Sequence, residues 1–318
     1  MKISVIIATY NRVDLLQQQM RCLRQQSIPR EQYEIIVIND GSTDGTPAYL
    51  ADLARQESNI TVLEQANQGP AAARNLGATQ ARGAILAFTD DDCLADPGWL
   101  RTIQDTFADP AVLAAQGCTY SDPTLITPLT HQVINEQGDT SIPTCNAAYR
   151  RTVFTDAGGF DAGFPFQNED ADLAWRVREM GEVRFVPTMR VYHPPRVDSF
   201  RKNCRKMQHY VSEFMLFHKS PARYRKYRFA SPWVTIYWRI AIKAQGFHFL
   251  RRVKYLRQPG LMIQGIALSL WWWFDLLRKL PVFWRADRYY RRWYAGQNKQ
   301  LVALPELVNL EKPLVGNK

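Results

Sequence analysis

Short apolar runs rich in β-branched residues alternate with helix-like segments from the start of the chain to about residue 89. The strand-like runs cover residues 3–8, 34–39, 60–64 and 84–89, and the helix-like segments cover 15–26, 46–56 and 71–81. This alternation predicts an α/β fold whose mostly parallel sheet is covered by helices on both faces. Ligands of such sheets bind beyond the carboxyl ends of the strands. The polar residues that follow each run are therefore the candidates for a functional site.

Three consecutive carboxylates, Asp90, Asp91 and Asp92, follow the run 84–89. Adjacent carboxylates repel one another and are costly to desolvate without a compensating cation. Mg²⁺ or Mn²⁺ can supply that charge, because these ions prefer oxygen ligands and bridge carboxylates to substrate phosphates. The alternative is a solvated acidic turn without a metal. A metal site is favoured, because the triplet follows a predicted strand, as Asp40 follows the run 34–39, and both are expected at the same edge of the sheet.

Asp40 ends the run 34–39 and precedes a glycine turn, where its carboxylate could accept hydrogen bonds from a nucleobase or a ribose. Asp44, four residues later, is adequately explained as a cap of the next helix. The turn after the first run, residues 8–12, has no glycine, and no Walker A motif occurs. The pattern therefore argues against dinucleotide dehydrogenases and P-loop enzymes. A diphosphate would be neutralised chiefly by metal at the acidic triplet.

Six motifs in order resemble those of the family 2 glycosyltransferases, which have a GT-A fold. They lie at residues 4–12 (SVIIATYNR), 38–46 (INDGSTDGT), 67–75 (NQGPAAARN), 88–97, 158–161 (GGFD) and 168–176 (NEDADLAWR). The resemblance extends over about residues 3–195. It implies inverting transfer of a hexosyl or N-acetylhexosaminyl group from a nucleotide-diphosphate sugar, with a UDP-sugar favoured, to a hydroxyl of a glycan or lipid-linked acceptor in polysaccharide biosynthesis.

The same resemblance implies a role for each matched position. In the nucleotide-sugar site it places Thr9, Tyr10, Arg12, Asp40, Arg74, Asp90, Asp91 and Asn146. Asp40 would bind the base, Asp90 would face the ribose, and Asn146 would approach the donor sugar. Asp92 would hold Mg²⁺ or Mn²⁺ as the last acid of the DxD motif. Family members often have another acid next, whereas this chain has Cys93, which we interpret as a small buried filler.

The resemblance also implies roles for three further positions, Asp170, Glu169 and His193. Asp170, in the Glu169–Asp170 pair, would be the catalytic base, because a carboxylate within hydrogen-bond reach can take the proton of an attacking hydroxyl. Glu169 alone is also explained by the helix dipole. His193 is expected to contact the metal or the diphosphate, with a purely structural histidine as the alternative, and the other four histidines are interpreted as structural.

The second part of the chain is basic and aromatic. Residues 201–318 contain 24 of the 40 Lys and Arg, five acids and seven of the nine Trp, for a net charge of +19, whereas residues 1–200 have a net charge of −9. The longest apolar run, residues 261–274, is shorter than the roughly 20 residues of a membrane span. Together with Trp271–Trp273 and the following arginines, it predicts an interfacial helix on an anionic membrane surface.

We therefore expect a catalytic domain over residues 1–200 and a helical, membrane-associating region over residues 201–318, with the protein peripheral on the cytoplasmic face of the membrane. Five cysteines without a CxxC pair are consistent with reduced cytosol. The alternatives for the basic helices are packing on the catalytic domain or oligomer formation; nucleic acid, the other partner of basic aromatic stripes, is not expected because no such motif occurs. The alternatives for the activity are a non-catalytic sugar-nucleotide-binding protein and a processive polysaccharide synthase. The synthase is disfavoured, because such enzymes usually have a QxxRW motif and several membrane-spanning helices, and the sequence indicates neither.

Overall fold

The computed structural model describes residues 2–165, 167–238 and 258–296. Within these residues the chain forms two compact units. The first contains the described residues up to Ile126, together with His131–Ala162 and Glu169–Arg196, and the second contains Thr127–Thr130, the described part of Gly163–Asn168 and the described residues from Val197 onward. Residues 239–257 and 297–318, which belong to the expected membrane-associating region, lie outside the described residues.

The first unit is built on an eight-stranded sheet. Its strands are β1 Ile3–Thr9, β2 Tyr33–Asn39, β3 Ile60–Glu64, β4 Ile85–Phe88, β5 Leu94–Ala95, β6 Val112–Tyr120, β8 Ala147–Arg150 and β9 Glu182–Tyr192. Its helices are α1 Val13–Arg24, α2 Thr46–Gln56, α3 Pro70–Gln80, α4 Trp99–Thr106, α5 Arg151–Asp156 and α6 Glu169–Met180. The short strands β7 Thr130–His131 and β10 Arg196–Val197 pair with each other in a separate sheet.

The sheet has the strand order β3-β2-β1-β4-β8-β6-β9-β5. Four of its seven pairings are parallel, including the whole run from β3 to β4. The prediction of a mostly parallel, Rossmann-like sheet is therefore confirmed. The strand order reverses direction between β1 and β4, so a crevice opens beyond their carboxyl ends. The loops after β1, β2 and β4 meet at this edge.

Helix α3 approaches the sheet closely through Gly77. A Cβ atom at this position would lie 2.7 Å from Ile38 Cδ1 and 2.7 Å from Ile6 Cγ2, so a side chain would push the helix away from β1 and β2. The same helix carries Arg74 one turn earlier, and Arg74 is buried. The close packing at Gly77 thus fixes the position of a charged side chain at the edge of the sheet.

Most of the sheet beyond β4 was not predicted from the sequence. Strand β6 is rich in alanine and contains Gly117, so it has neither the β-branched composition nor the alternation of a typical strand. For strand β9 the sequence indicates only a short β-rich run over residues 183–186, whereas the strand covers Glu182–Tyr192. Its partner register jumps from Gly117–Val186 to Cys118–Arg190, which leaves Pro187 outside the pairing. A bulge of this kind accommodates a proline that otherwise signals the end of a strand.

The second unit is helical. Its helices are α7 Phe200–Cys204, α8 Val211–Lys219, α9 Pro221–Tyr227, α10 Pro232–Tyr237, α11 Pro259–Arg278 and α12 Leu280–Tyr294. Its core is aromatic: the ring of Phe214 lies 5.0 Å from Trp233 and 5.8 Å from Phe283, measured between centroids. A buried hydrogen bond of 2.8 Å from Tyr224 Oη to Glu213 joins α9 to α8. The unit therefore has a core of its own.

Helix α11 is longer than the apolar run in the sequence, because Pro259, Gly260 and the residues after Phe274 are also helical. It has 20 residues and a mean hydropathy of 1.3, and 28% of its apolar window is buried. Among the residues that the structure describes, it is the helix whose length and composition would permit a membrane crossing. We expected a helix lying in the membrane interface, and both arrangements require the largely uncovered apolar surface that α11 has.

We predict that Gly117→Ala destabilises the first unit. A Cβ atom at Gly117 would lie 2.1 Å from the backbone oxygen of Met189 and 2.4 Å from Asn146 Nδ2, so strand β9 would have to move. Overpacking of this kind costs about 1–3 kcal/mol. The free energy of unfolding is measured in urea, and hydrogen exchange of peptides that contain β6 and β8 shows where the protein is destabilised. Gly45→Ala is the matched control, because a Cβ atom there meets Val13 at an ordinary 3.6 Å; an equal loss of stability in both variants would contradict the prediction.

Candidate active site

A cavity of about 310 Å³ opens beyond the carboxyl ends of β1, β2 and β4. Nine of the predicted site residues line it: Thr9, Tyr10, Arg12, Asp40, Arg74, Asp90, Asp91, Asp92 and His193. It is also lined by Ala8, Pro70, His131, Val133 and Arg196, for which the sequence analysis proposed no role. Glu169, Asp170 and Asn146 are not among its lining residues.

Arginines surround the acidic triplet. Arg12 Nη1 donates to Asp91 Oδ1 at 2.8 Å and to Asp92 Oδ2 at 3.1 Å, and Arg74 Nη2 donates to Asp90 Oδ1 at 2.8 Å. Arg196 Nη1 donates to Asp92 Oδ2 at 2.9 Å. Each of the three carboxylates therefore has at least one guanidinium partner. The compensating charge that the sequence analysis assigned to a metal ion is supplied here by the protein itself.

Asp91 is the most deeply buried member of the triplet. Its Oδ2 accepts a hydrogen bond of 2.8 Å from Thr9 Oγ1, while its Oδ1 is held by Arg12. Burial raises the pKa of Asp91 to about 6, and the neighbouring Asp92 adds to the increase, although Arg12 and Thr9 act in the opposite direction. Because both oxygens are engaged by β1 and the turn after it, Asp91 holds the end of β4 to the end of β1.

Asp92 faces a histidine as well as two arginines. His193 Nε2 lies 3.8 Å from Asp92 Oδ1, and the imidazole is buried with its Nδ1 lacking a hydrogen-bond partner within the described residues. The Cys93 thiol lies within 4.8 Å of both groups. A hydrogen bond with Cys145, together with burial, raises the pKa of the Cys93 thiol, which therefore stays protonated. Cys93 is completely buried, as expected for a small buried side chain.

Arg74 connects the triplet to the start of α6. Its Nη1 donates to Glu169 Oε1 at 3.3 Å while Nη2 holds Asp90, and its guanidinium carbon lies 5.9 Å from the centre of the Phe160 ring. Burial opposes the charged form of Arg74, but Asp90 and Glu169 outweigh it and raise the pKa of the guanidinium. Arg74 therefore acts as a buried link between two acidic groups from distant parts of the sequence.

Asp170 is half-buried in the first turn of α6, beside Glu169. Its Oδ1 accepts a hydrogen bond of 2.7 Å from the amide of Ala171. Burial and the nearby Asp170 carboxylate raise the pKa of Tyr149, which is fully buried in β8. Asp170 does not line the cavity, but its charge acts on Arg74, which does, and so helps to raise the pKa of that guanidinium.

Asp40 organises the loop before α3. Its Oδ1 accepts hydrogen bonds from Gln65 Nε2 at 2.7 Å and from the amide of Gln68 at 2.9 Å, and its Oδ2 accepts one from the amide of Gly69 at 2.9 Å. Gly69 adopts a φ of 90°, a conformation that favours glycine. A carboxylate has about four lone-pair sites, so a ligand would find roughly one of them available. The N-cap residue of α2 is Gly45, and Asp44, one residue before it, accepts from the first amide of α2, that of Thr46, and from the first amide of α1, that of Val13.

The expectation for Asn146 differs from what the structure shows. Its side chain is buried away from the cavity, where its Oδ1 accepts from Trp99 Nε1 at 2.9 Å. Its Nδ2 donates to the backbone oxygens of Cys118 at 3.1 Å and Met189 at 2.9 Å. These bonds join α4, β6 and β9, so the amide is used in the fold and does not approach a donor sugar in this conformation.

Two charged or titratable groups at the cavity were missed. Arg196 lies three residues after His193, follows two prolines and falls just beyond the residues over which the family motifs extend. The ring of His131 lies 5.7 Å from that of His193, but no motif surrounds it. The Pro-Pro-Arg sequence could have indicated that Arg196 is held close to His193. Nothing in the sequence indicated His131.

We predict that Arg74→Met destabilises the protein by about 3–5 kcal/mol, because it removes a buried cation from between two half-buried carboxylates, Glu169 and Asp90. Adding Glu169→Gln should recover part of this loss. Arg184→Met is the matched control, since Arg184 also joins two acids, Asp109 and Glu182, but at an exposed site; it should cost less than about 1 kcal/mol. The free energy of unfolding in urea is the measurement, and similar losses in both variants would refute the buried link.

Comparison with known proteins places this architecture in a family. The model of glycosyl transferase family 2 matches residues 4–161. Glycosyltransferase AglE of Haloferax volcanii is 39% identical over 99 residues, which is 31% of this chain and 33% of that protein. The chain thus matches only about a third of the length of this curated relative.

Two solved structures share the fold over most of the chain. Mannosyltransferase PcManGT from Pyrobaculum calidifontis, in complex with GDP-Man and Mn²⁺, has a TM-score of 0.59 at 22% identity and covers 92% of this chain and 87% of its own. Residues 1–349 of TarS from S. aureus, in complex with UDP-GlcNAc, have a TM-score of 0.54 at 16% identity and cover 94% of this chain and 93% of their own. The predicted GT-A type of α/β fold is confirmed, and this chain belongs to glycosyl transferase family 2.

Proposed function

We propose that this protein transfers a hexosyl or N-acetylhexosaminyl group from a nucleotide-diphosphate donor to a hydroxyl acceptor. The observation that carries the proposal is the cavity at the edge of the parallel sheet, where Asp90–Asp92 and His193 meet Arg12, Arg74 and Arg196. Carboxylates suit a divalent cation and guanidinium groups suit phosphate oxygens, so together they suit a metal-bound diphosphate. The similar proteins in complex with GDP-Man and UDP-GlcNAc support a donor of this class.

The nucleotide is assigned to the part of the cavity formed by the loops after β1 and β2. Tyr10 is 46% exposed and can cover a base or ribose, and the free lone pair of Asp40 can accept from a base N–H. Asp90, with 29% of its side chain exposed beside Arg74, is available to a ribose hydroxyl. We keep a UDP-sugar as the favoured donor.

Asp92 and His193 would hold a divalent metal. The residues fit such an ion, because a carboxylate oxygen and an imidazole nitrogen lie 3.8 Å apart and face each other. Mg²⁺ favours oxygen ligands whereas imidazole favours transition metals, so this pair fits Mn²⁺ better than Mg²⁺. When bound, the ion would neutralise the diphosphate leaving group. Arg12 and Arg196 would then give up Asp92 and could bind phosphate oxygens.

Asp170 is proposed as the base of an inverting reaction. A hydroxyl is a poor nucleophile, and a carboxylate can take its proton as the new glycosidic bond forms. Glu169 is held by Arg74, so it would orient the first turn of α6 rather than accept the proton. Attack on the side opposite the leaving diphosphate inverts the anomeric centre.

We assign catalysis to a domain over about residues 1–200 and membrane association to residues 201–318. The described part of the latter is helical, and α11 leaves apolar residues such as Leu270 and Phe274 exposed. The net positive charge of residues 201–318 suits binding to an anionic membrane leaflet. The acceptor is therefore proposed to be lipid-linked or a glycan near the cytoplasmic face of the membrane, with the protein peripheral.

We predict that donor binding depends on Mn²⁺ through Asp92. Calorimetric titration of a panel of UDP- and GDP-sugars, with Mn²⁺ and with EDTA, tests this. Asp92→Asn should abolish the dependence on metal, because the amide lacks the negative charge, and transfer should fall with it. Arg196→Gln should tighten Mn²⁺ binding itself, since one competitor for Asp92 is removed. Equal donor affinity in Mn²⁺ and EDTA would contradict the metal role.

We also predict that Asp170→Asn lowers the turnover of sugar transfer by at least about 10²-fold, the scale of general-base catalysis, while donor and metal affinity stay close to wild type. The amide keeps the shape of the side chain but cannot accept the proton. Glu169→Gln is the comparison and should be milder. The measurement is kcat and donor Kd for each variant. Wild-type turnover in Asp170→Asn, or a parallel loss of donor affinity, would remove Asp170 as the base; donor binding without transfer in the wild type would favour a non-catalytic sugar-nucleotide-binding protein.

A further inference from the structure

The second unit contains a basic cavity of its own. It has a volume of about 190 Å³ and lies where α7 meets the end of α11. Its lining includes four basic side chains, Arg201, Arg205, Arg278 and Lys279, together with Trp271 and Asp275. A single buried water needs roughly 10–15 Å³, so the cavity has room for a polyatomic group.

The charges lining this cavity do not balance. Asp275 is its one acidic lining residue, and its Oδ1 accepts hydrogen bonds from Arg278 at 3.0 Å and 2.7 Å. Arg201 and Arg205 are exposed and make no ion pair with any residue that the structure describes. Several cations facing one cavity repel one another. An anionic ligand would relieve this repulsion.

The cavity is held together by hydrogen bonds from two tryptophans. Trp271 Nε1 donates to the backbone oxygen of Cys204 at 3.1 Å, and Trp272 Nε1 donates to that of Asn203 at 2.9 Å. These bonds fix Arg201 of α7, and Arg205 directly after it, beside the last turn of α11. Helix α12 begins directly after α11 at this point, so the negative end of one helix dipole lies beside the positive end of another, and the two largely cancel. The field in the cavity is therefore set by its side chains.

A stripe of exposed apolar side chains lies on a neighbouring face of α11 and meets the cavity at one edge, where the ring of Phe274 lies 5.7 Å from that of Trp271, measured between centroids. It consists of Ile263, Ile266, Leu270, Trp273, Phe274 and Leu277, which all lie on one face because they are three or four residues apart. Arg278 follows this stripe directly. An apolar helix face that ends at basic residues and tryptophans matches the boundary between acyl chains and headgroups. The ligand of the cavity should accordingly combine a phosphate with an apolar chain.

We propose that this cavity binds the phosphate group of a membrane lipid, with the lipid chains against the exposed stripe of α11. Arginine is suited to this role because its fork of donors matches phosphate oxygens. The proposal deepens the membrane association in the proposed function by assigning it to a defined site. It does not depend on sugar transfer, because none of its residues belongs to the donor cavity.

The test is the binding of the full-length protein to phosphatidylcholine vesicles that contain phosphatidic acid. Arg201→Gln/Arg205→Gln should reduce partitioning by roughly 100-fold, because each substitution removes a charge-assisted contact to the bound phosphate and each such contact is worth about tenfold in affinity. Arg285→Gln/Arg292→Gln is the matched control, since it removes the same charge from exposed positions of α12 outside the cavity. It should change partitioning less than about threefold, because exposed charges away from the bound phosphate are screened. Arg201→Lys/Arg205→Lys should retain most of the binding.

Equal losses in the two glutamine double variants would overturn the site in favour of a diffuse positive field, and no loss in either would overturn it as well. Inorganic phosphate provides the second arm: displacement of wild-type protein from the vesicles by phosphate alone would show a site for the free ion and contradict the lipid assignment. Donor affinity measured on the same variants should equal that of the wild type. If the wild-type protein bound no nucleotide-sugar donor at all, the proposed function would be wrong, whereas the lipid phosphate site would be unaffected.

Discussion

Charge compensation at the end of β4 is the constraint on which the candidate site depends. Three carboxylates in a row would repel one another at the edge of a buried sheet, and the chain offsets this with Arg12, Arg74 and Arg196. These arginines come from the turn after β1, from α3 and from the segment after β9. The acidic triplet therefore ties together elements that are far apart in sequence. The sheet brings the charges together, and the charges in turn hold the loops at the edge of the sheet.

The three arginines are not equivalent. Arg74 is buried, with 7% of its side chain exposed, and forms ion pairs with both Asp90 and Glu169. Arg12 and Arg196 have 37% and 29% of their side chains exposed. When either guanidinium leaves Asp92, water can therefore replace some of the hydrogen bonds that it made to this carboxylate. An arginine that keeps part of its hydration loses less when it leaves a carboxylate than a fully buried arginine does. A divalent cation could therefore displace Arg12 and Arg196 from Asp92 at modest cost, whereas Arg74 would stay in place.

The sequence was informative wherever function follows from a strand end. Asp40 and Asp90–Asp92 were found because parallel strands bring their carboxyl ends to one edge, and the helix over Thr46–Gln56 matches its expected bounds. Strand β6 was missed because its alanines and glycine lack the composition of a strand. Arg196 and His131 reach the cavity only through long-range packing, which no local pattern encodes. Asn146 shows the converse, because a residue in a recognisable segment proved to be used by the fold, in hydrogen bonds to Trp99 and β9.

The two units manage excess charge in opposite ways. In the first unit, acids at the edge of the sheet are paired with arginines, so the cavity is close to neutral and can exchange one cation for another. In the second unit, Arg201 and Arg205 have no acidic partner among the described residues, and one buried aspartate faces four basic groups. A neutral, exchangeable site suits a ligand that arrives together with its own metal. A site with excess positive charge suits an anion that the protein binds without a metal ion. The first cavity therefore favours a metal-bound diphosphate, and the second favours a phosphate group without a metal.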